Sequence, residues 1–231
     1  VVSSAYRCQP IFARRIMVDA LTDAHDWDER YRTSELIWKA APNQWVRQYT
    51  QDLSPGTALD LASGEGRNAI WLADRGWQVT AVDFSAVAME KAKELASQHG
   101  NRTADRIEWV VEDVLSYAST AEYDLVLVIY LQVAAEQRKT LLQHAAAVVS
   151  PGGRLLVVGH HTDNLVHGVG GPPNPEVLYT EDDILADLAE FPNLIFRTAQ
   201  RVERVIDGQL RRALDVVVEA ERSSANAALK G

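Results

Sequence analysis

The chain has 231 residues, 47% of them hydrophobic and 24% charged, a globular composition and a length that suits one large α/β domain. Its formal net charge of −9 argues against a polyanionic partner, because phosphate backbones select basic faces. The single cysteine, Cys8, has no internal partner, so a reduced, cytoplasmic compartment is expected.

No apolar run approaches the roughly 18–20 residues that span a bilayer, and no membrane association is expected. Arg14 and Arg15 interrupt the only apolar stretch near the amino end, which argues against a signal peptide. Residues 1–16 read as a leader or extension, with Met17 as the expected start. A helical cap is expected over 17–50, the main domain over 51–222 and a tail over 223–231.

The cap segment carries Trp27, Tyr31, Trp38 and Trp45, and Pro42-Asn43 divides it into two helical pieces. After Ser54-Pro55-Gly56 a regular alternation begins. Thr57 to Leu61 reads as a strand. Arg67 to Asp74 reads as a helix, with Ala69, Leu72 and Ala73 on one face and Gly76 as its stop. Gln78 to Val82 is a second strand, and Ser85 caps a helix with Ala88, Ala92, Leu95 and Ala96 at helical spacing. Ile107 to Val111 is a third strand. Tyr123 to Tyr130, the longest apolar run, reads as a central strand buried on both faces. A helix through Leu141, Ala145 and Val148 leads to a Pro151-Gly152-Gly153 turn and a fifth strand, Arg154 to Gly159. Thr180 with Asp183 resembles a capping box opening another helix. Last, Leu194 to Ile206 and Gln209 to Ala220 flank Asp207-Gly208, a hairpin signal. The pattern predicts a three-layer, Rossmann-like α/β fold: a seven-stranded, mostly parallel sheet with a C-terminal antiparallel hairpin and an N-terminal helical cap.

The first strand runs into Asp60-Leu61-Ala62-Ser63-Gly64-Glu65-Gly66-Arg67-Asn68. Glycines between strand and helix let backbone approach a ligand, and free amides at a helix start face an anionic group. The second strand ends about twenty residues on at Asp83, where a carboxylate is placed to accept hydrogen bonds from both ribose hydroxyls of an adenosine moiety. Glu112-Asp113-Val114 follows the third strand and sets a carboxylate toward an adenine amino group. Tyr130 and Leu131 follow the fourth. Four strand ends thus converge on one crevice. Gly64-x-Gly66-x-x-Ala69 also satisfies the looser dinucleotide fingerprint, which keeps nicotinamide binding open as a competing reading.

These segments, Ala58 to Asn68, Ala81-Val82-Asp83-Phe84-Ser85, Glu112-Asp113 and Leu155 after Pro151-Gly152-Gly153, resemble the successive motifs of class I S-adenosylmethionine-dependent methyltransferases. The Gly66-Arg67-Asn68 that opens the helix resembles the tellurite-resistance and thiopurine methyltransferase-like branch. The resemblance covers about Trp27 to the end. It implies that Gly64 and Gly66, with Ala62 and Asn68 of the same loop, approach the methionine part of S-adenosyl-L-methionine. It also implies that Asp60 lies near the amino group, that Asp83 holds the ribose, that Phe84 packs on the adenine and that Asp113 with Val114 contacts the adenine edge. Ala62 departs from the family's usual glycine, which is tolerable if its φ stays negative.

Trp38 and Arg30 of the cap are further cofactor candidates, Trp38 through cation–π attraction to a sulfonium and Arg30 through the methionine carboxylate. Tyr130 joins both the cofactor and the substrate side. His160 and His161, at the mouth of the fifth strand, are the candidate catalytic residues, one of them as proton acceptor. The glycine-rich stretch Val166 to Pro175 reads equally as a lid or a variable insertion. No ligand spacing suggests a metal site. The function these readings imply is methyl transfer to a small-molecule nucleophile by in-line displacement, without a nucleic-acid partner. The alternatives are an NAD(P)-dependent oxidoreductase, which lacks a Tyr-x-x-x-Lys pair here, and a non-catalytic S-adenosylmethionine-binding protein.

Overall fold

A computed structural model describes residues 24–33, 41–206 and 208–224. Seven strands form one sheet: β1 (Thr57–Leu61), β2 (Gln78–Asp83), β3 (Ile107–Val111), β4 (Tyr123–Ile129), β5 (Val149–His160), β6 (Leu194–Arg204) and β7 (Ala213–Arg222). Their order across the sheet is β3-β2-β1-β4-β5-β7-β6. The pairs from β3 through β5 are parallel, whereas β7 runs antiparallel to both β5 and β6. Strand order reverses between β1 and β4, and the carboxyl ends of parallel strands flanking such a switch leave a crevice.

Helices α1 (Ala24–Arg32), α2 (Gln44–Thr50), α3 (Arg67–Asp74), α4 (Ala86–Gln98), α5 (Asn101–Ala104), α6 (Ala135–Ala147), α7 (Asn164–His167) and α8 (Glu181–Asp187) surround the sheet. Side chains alternate across β4 as a two-residue period requires. Val126 and Val128 pack with Leu141 and Leu142 of α6 and Ile184 of α8. Leu125 and Leu127 pack on the other face with Val46 of α2, Ala69 and Leu72 of α3 and Ala96 of α4. Complete burial of a leucine stabilises by about 1.5–3 kcal/mol, and both faces of β4 are filled this way, so this strand anchors the three layers. The local signals act as expected: Ser85 accepts from the Ala88 amide at the start of α4, and Thr180 and Asp183 form the capping box of α8.

Three boundaries differ from the sequence reading. β4 stops at Ile129 because Tyr130 has a φ of 56°, which turns the chain out of the sheet. β5 begins at Val149, not Arg154. Val149 pairs with Tyr123 and Arg154 with Leu125, so Pro151-Gly152-Gly153 forms a bulge inside a strand pair rather than a turn before it. The hairpin at the carboxyl end is present, but β6 ends at Arg204 and β7 starts at Ala213. The connection therefore spans 205–212, far longer than a two-residue turn on Asp207-Gly208. Asp207 lies outside the described residues, as do residues 1–23, the tail from 225 and Trp38.

Candidate active site

The loop after β1 is held by its own backbone and by β2. The Ser63 amide donates to the Val82 carbonyl at 3.0 Å and the Gly66 amide to the Ser63 carbonyl at 3.0 Å. Ala62, Gly64 and Gly66 all have positive φ, at 58°, 55° and 75°. The expectation that Ala62 stays at negative φ is thus overturned: the loop needs a left-handed residue there, and alanine adopts it at a strain of about 1–2 kcal/mol. Gly66 is required by packing as well. A Cβ on it would lie 2.5 Å from Cη2 of Trp109 and 2.9 Å from Cβ of Ala92, so the missing side chain lets α3 start tight against β3 and α4.

Two buried carboxylates close the ends of β1 and β2. Asp83 accepts from the Gly64 amide at 2.8 Å and from the Ser85 amide at 2.9 Å, one on each oxygen. Each oxygen keeps a further lone pair. Burial raises its pKa, against the pull of those two amides, and Asp28 of α1 raises it further. Asp28 reaches this corner because its Oδ1 accepts from the Ser85 hydroxyl and, at 3.3 Å, from the Val87 amide. Asp60 is 1% exposed, and neither of its oxygens has a hydrogen-bond partner. Burial pushes its pKa up to about 7. Arg67 opposes the rise, Asp83 adds to it, and the Ala69 amide opposes it without reaching bonding geometry. Arg67 itself is pulled below the usual guanidinium value by burial, with Tyr130, Asp60 and Tyr31 drawing it back.

A second polar cluster lies at the same sheet edge, across β4, β5, β7 and β6. Its hub is Asp215 of β7, fully buried. Asp215 Oδ2 accepts from Trp45 Nε1 at 3.0 Å, the Tyr130 hydroxyl at 2.6 Å and Arg204 Nε at 2.7 Å. Its Oδ1 faces Arg204 Nη2 and His160 Nδ1, each at 3.3 Å. These donors hold the Asp215 carboxyl far below the usual carboxylate range despite burial. Tyr130 also receives Arg204 Nε at 3.0 Å. Burial and the Asp215 charge push its phenol well above the ordinary tyrosine value.

The two histidines differ. His160 packs its ring on Tyr130, centroids 4.8 Å apart. His161 is tied into structure: its Nδ1 accepts from the Asp163 amide at 3.0 Å, and its Nε2 lies 3.3 Å from Glu181 of α8. Asn68 is buried and its Oδ1 accepts from the Asn43 amide at 2.9 Å, which fastens α2 to the start of α3. Phe84 is half-buried beside Asp83. Asp113 is exposed and its Oδ1 accepts from the Leu115 amide; the Val114 side chain belongs to the core. Arg30 lies 4.9 Å over the Trp27 ring within α1. Sequence reasoning missed Asp215, Arg204 and Arg67 and left Trp45 without a role. The signal for Asp215 was a lone acid inside the apolar run Ala213 to Val218.

Comparison with known proteins fits this layout. Residues 58–153 match the family described as a methyltransferase domain. The tRNA 5-carboxymethoxyuridine methyltransferase of Escherichia coli (strain K12) is 32% identical over 111 residues, which cover 47% of this chain and 41% of that protein. The chain thus matches less than half the length of that relative. TehB from Haemophilus influenzae shares the fold with a TM-score of 0.63 at 17% identity, over 87% of this chain and 67% of that one. The glycopeptide N-methyltransferase MtfA, solved with (S)-adenosyl-L-methionine, has a TM-score of 0.60 at 19% identity, over 79% of this chain and 95% of that one. The seven-stranded, mostly parallel sheet has the fold of these two solved structures.

Proposed function

We propose that the chain binds S-adenosyl-L-methionine in the crevice at the ends of β1 and β2 and transfers its methyl group to a small-molecule nucleophile. The observation that carries this reading is the pair of carboxylates there. Asp60 is buried without a hydrogen-bond partner, an arrangement that costs a few kcal/mol when nothing compensates it. An ammonium group is the natural complement, and the amino-acid tail of the cofactor carries one. Asp83 is fixed by two amides but keeps lone pairs for a vicinal diol, which the ribose supplies. Arg67, coupled to Asp60, provides positive charge for the accompanying carboxylate.

When bound, the cofactor supplies an electrophilic methyl group on a sulfonium whose departure as a neutral thioether needs no acid. The protein's part is alignment, for which well-oriented reactants gain roughly 7–11 kcal/mol, and exclusion of water. Cover comes from two sides. α1 is held to α4 through Asp28 and Ser85 and through Lys91 to the Tyr31 carbonyl. The 166–175 loop lies on His160, where a Cβ at Gly171 would stand 2.9 Å from the ring. This cover and the net charge of −9 favour a small acceptor over a polynucleotide.

Isothermal titration with S-adenosylhomocysteine tests the cofactor half. Micromolar-range binding is expected, weakened about tenfold or more in Asp83→Ala, since hydrogen bonds to a charged group contribute about 1.5–3 kcal/mol each. Unchanged binding in that variant, or quenching of NADH fluorescence in place of binding, contradicts the assignment. Labelled methyl transfer to bulk tRNA but to no small acceptor would sink the small-molecule half.

A further inference from the structure

We propose that a cavity at the sheet edge opposite the crevice is a second ligand site, which takes a small phosphorylated anion through Arg75, Arg102 and Arg106. It stands independently of the proposed methyl transfer. α3 and α4 start at the crevice and run back to the amino ends of β2 and β3. Their carboxyl ends and α5 wall a cavity of about 650 Å³, lined by the three arginines with Asp74, His99 and Asn101. That volume suits a small molecule. The Arg106 carbonyl accepts from the Val79 amide at 2.8 Å, which fixes this wall to the start of β2.

Charge and donor geometry select the ligand. Among the described residues that line the cavity, Asp74 is the only acid, so three arginines leave a local charge of +2 in a chain whose net charge is −9. A phosphate monoester carries about −1.5 to −2 at neutral pH, and distant surface charge is screened over about 8 Å at physiological salt. Both Asp74 oxygens are engaged within the wall: Oδ2 accepts from His99 Nδ1 at 2.8 Å and Oδ1 from the Thr103 hydroxyl. Two arginines are anchored with donors to spare. Arg106 Nη1 donates to the Ala73 and Arg102 carbonyls at 3.5 and 3.3 Å, leaving Nε and Nη2. Arg75 Nη2 donates to the Gln51 carbonyl while its guanidinium lies 5.0 Å over the Trp71 ring, leaving Nε and Nη1. A guanidinium presents its donors as a fork that matches phosphate oxygens. Capping of helix carboxyl ends accounts for the anchoring of Arg75 and Arg106. It does not call for Arg102, whose side chain makes no hydrogen bond or ion pair among the described residues. Apart from the His99 ring, no aromatic face lines the cavity among the described residues, so phosphate and hydroxyl groups are recognised here, not a nucleobase. One concave site in an acidic chain also lacks the basic stripe that follows a polynucleotide backbone.

Amide NMR of the full chain, titrated at constant ionic strength with inorganic phosphate and with ribose 5-phosphate, tests the site. Saturable shifts are expected at the Gly76, Gly100 and Asn101 amides, and none with chloride. Arg102→Gln, an exposed position, should weaken binding about fivefold or more, the loss of one charged fork discounted for solvent screening. Arg197→Gln, equally exposed and paired with Glu221 on the far edge of the sheet, should leave it unchanged. Saturating S-adenosylhomocysteine should leave it unchanged as well, because the crevice lies at the other sheet edge. Tighter binding of ribose 5-phosphate makes a phosphate ester the ligand, and equal or weaker binding makes it free phosphate. No saturable shift, shifts scattered over the surface, equal losses in the two variants, competition with S-adenosylhomocysteine, or a short oligonucleotide bound more tightly than either probe each overturn the proposal. Failure of the wild type to bind S-adenosylhomocysteine touches only the proposed methyl transfer.

Discussion

Asp60→Asn should make the protein more stable and a poorer binder of cofactor, and the gain should depend on pH. The folded-state pKa of Asp60 is raised to about 7 from an ordinary value of 3.8. The folded state therefore holds this proton more tightly than the unfolded state does. Its contribution to stability is fully present below about pH 4 and is lost as pH rises through 7. Above pH 7 the buried charge opposes folding by up to about 4 kcal/mol, at 1.36 kcal/mol per pKa unit. Asparagine removes the charge but must still bury an amide, at about 1–3 kcal/mol. The net gain at pH 8 is then about 1–3 kcal/mol, or roughly 3–10 °C in Tm for a domain of this size. Scanning calorimetry of both proteins between pH 5 and 8.5 measures it. The curves should converge toward pH 5, where Asp60 is protonated. A variant no more stable at pH 8, or one equally stabilised at both ends, refutes the reasoning. The same linkage predicts that S-adenosylhomocysteine binding near pH 6.5 releases a fraction of a proton, detectable by titration in buffers of different ionisation enthalpy.

Ala62→Gly should raise stability by about 1 kcal/mol in urea unfolding, because glycine accepts the φ of 58° without strain; a lower midpoint would show that the alanine is not strained. Gly66→Ala should lower it by about 1–3 kcal/mol, since the new Cβ meets Trp109 and Ala92, and near-wild-type melting would contradict that contact. Arg138 and Asp187 form a buried ion pair, Nε to Oδ2 2.7 Å, with side chains 8% and 11% exposed. Asp187→Ala should cost about 3–5 kcal/mol by leaving the guanidinium buried and unmatched, and a loss below 1 kcal/mol would mean that water reaches it.

The parallel half of the fold was legible because its signals are local. Thr57 to Leu61, Arg67 to Asp74 and Ile107 to Val111 have the boundaries that periodicity gave them. Where the reading failed, the deciding interaction was distant in sequence. Pro151-Gly152-Gly153 has turn chemistry, yet pairing of Val149 with Tyr123 keeps the chain in the sheet. The left-handed backbone at Ala62 and Tyr130 follows from the strand ends around the switch point, not from the residue types. The position of Asp83 at the end of β2 was readable because the strand is a local apolar run. The Asp215 hub was not, because it gathers Trp45, Tyr130, His160 and Arg204 from four separate elements. Gly66 and Asn68 show the reverse: noted for a ligand, they also serve packing between α3 and its neighbours.

A crystal structure with S-adenosylhomocysteine is the most direct measurement. The expected result has the sugar hydroxyls on the Asp83 carboxylate and the ammonium group within hydrogen-bonding distance of Asp60. Ligand bound elsewhere, or an Asp60 still without a partner in the complex, would contradict the assignment.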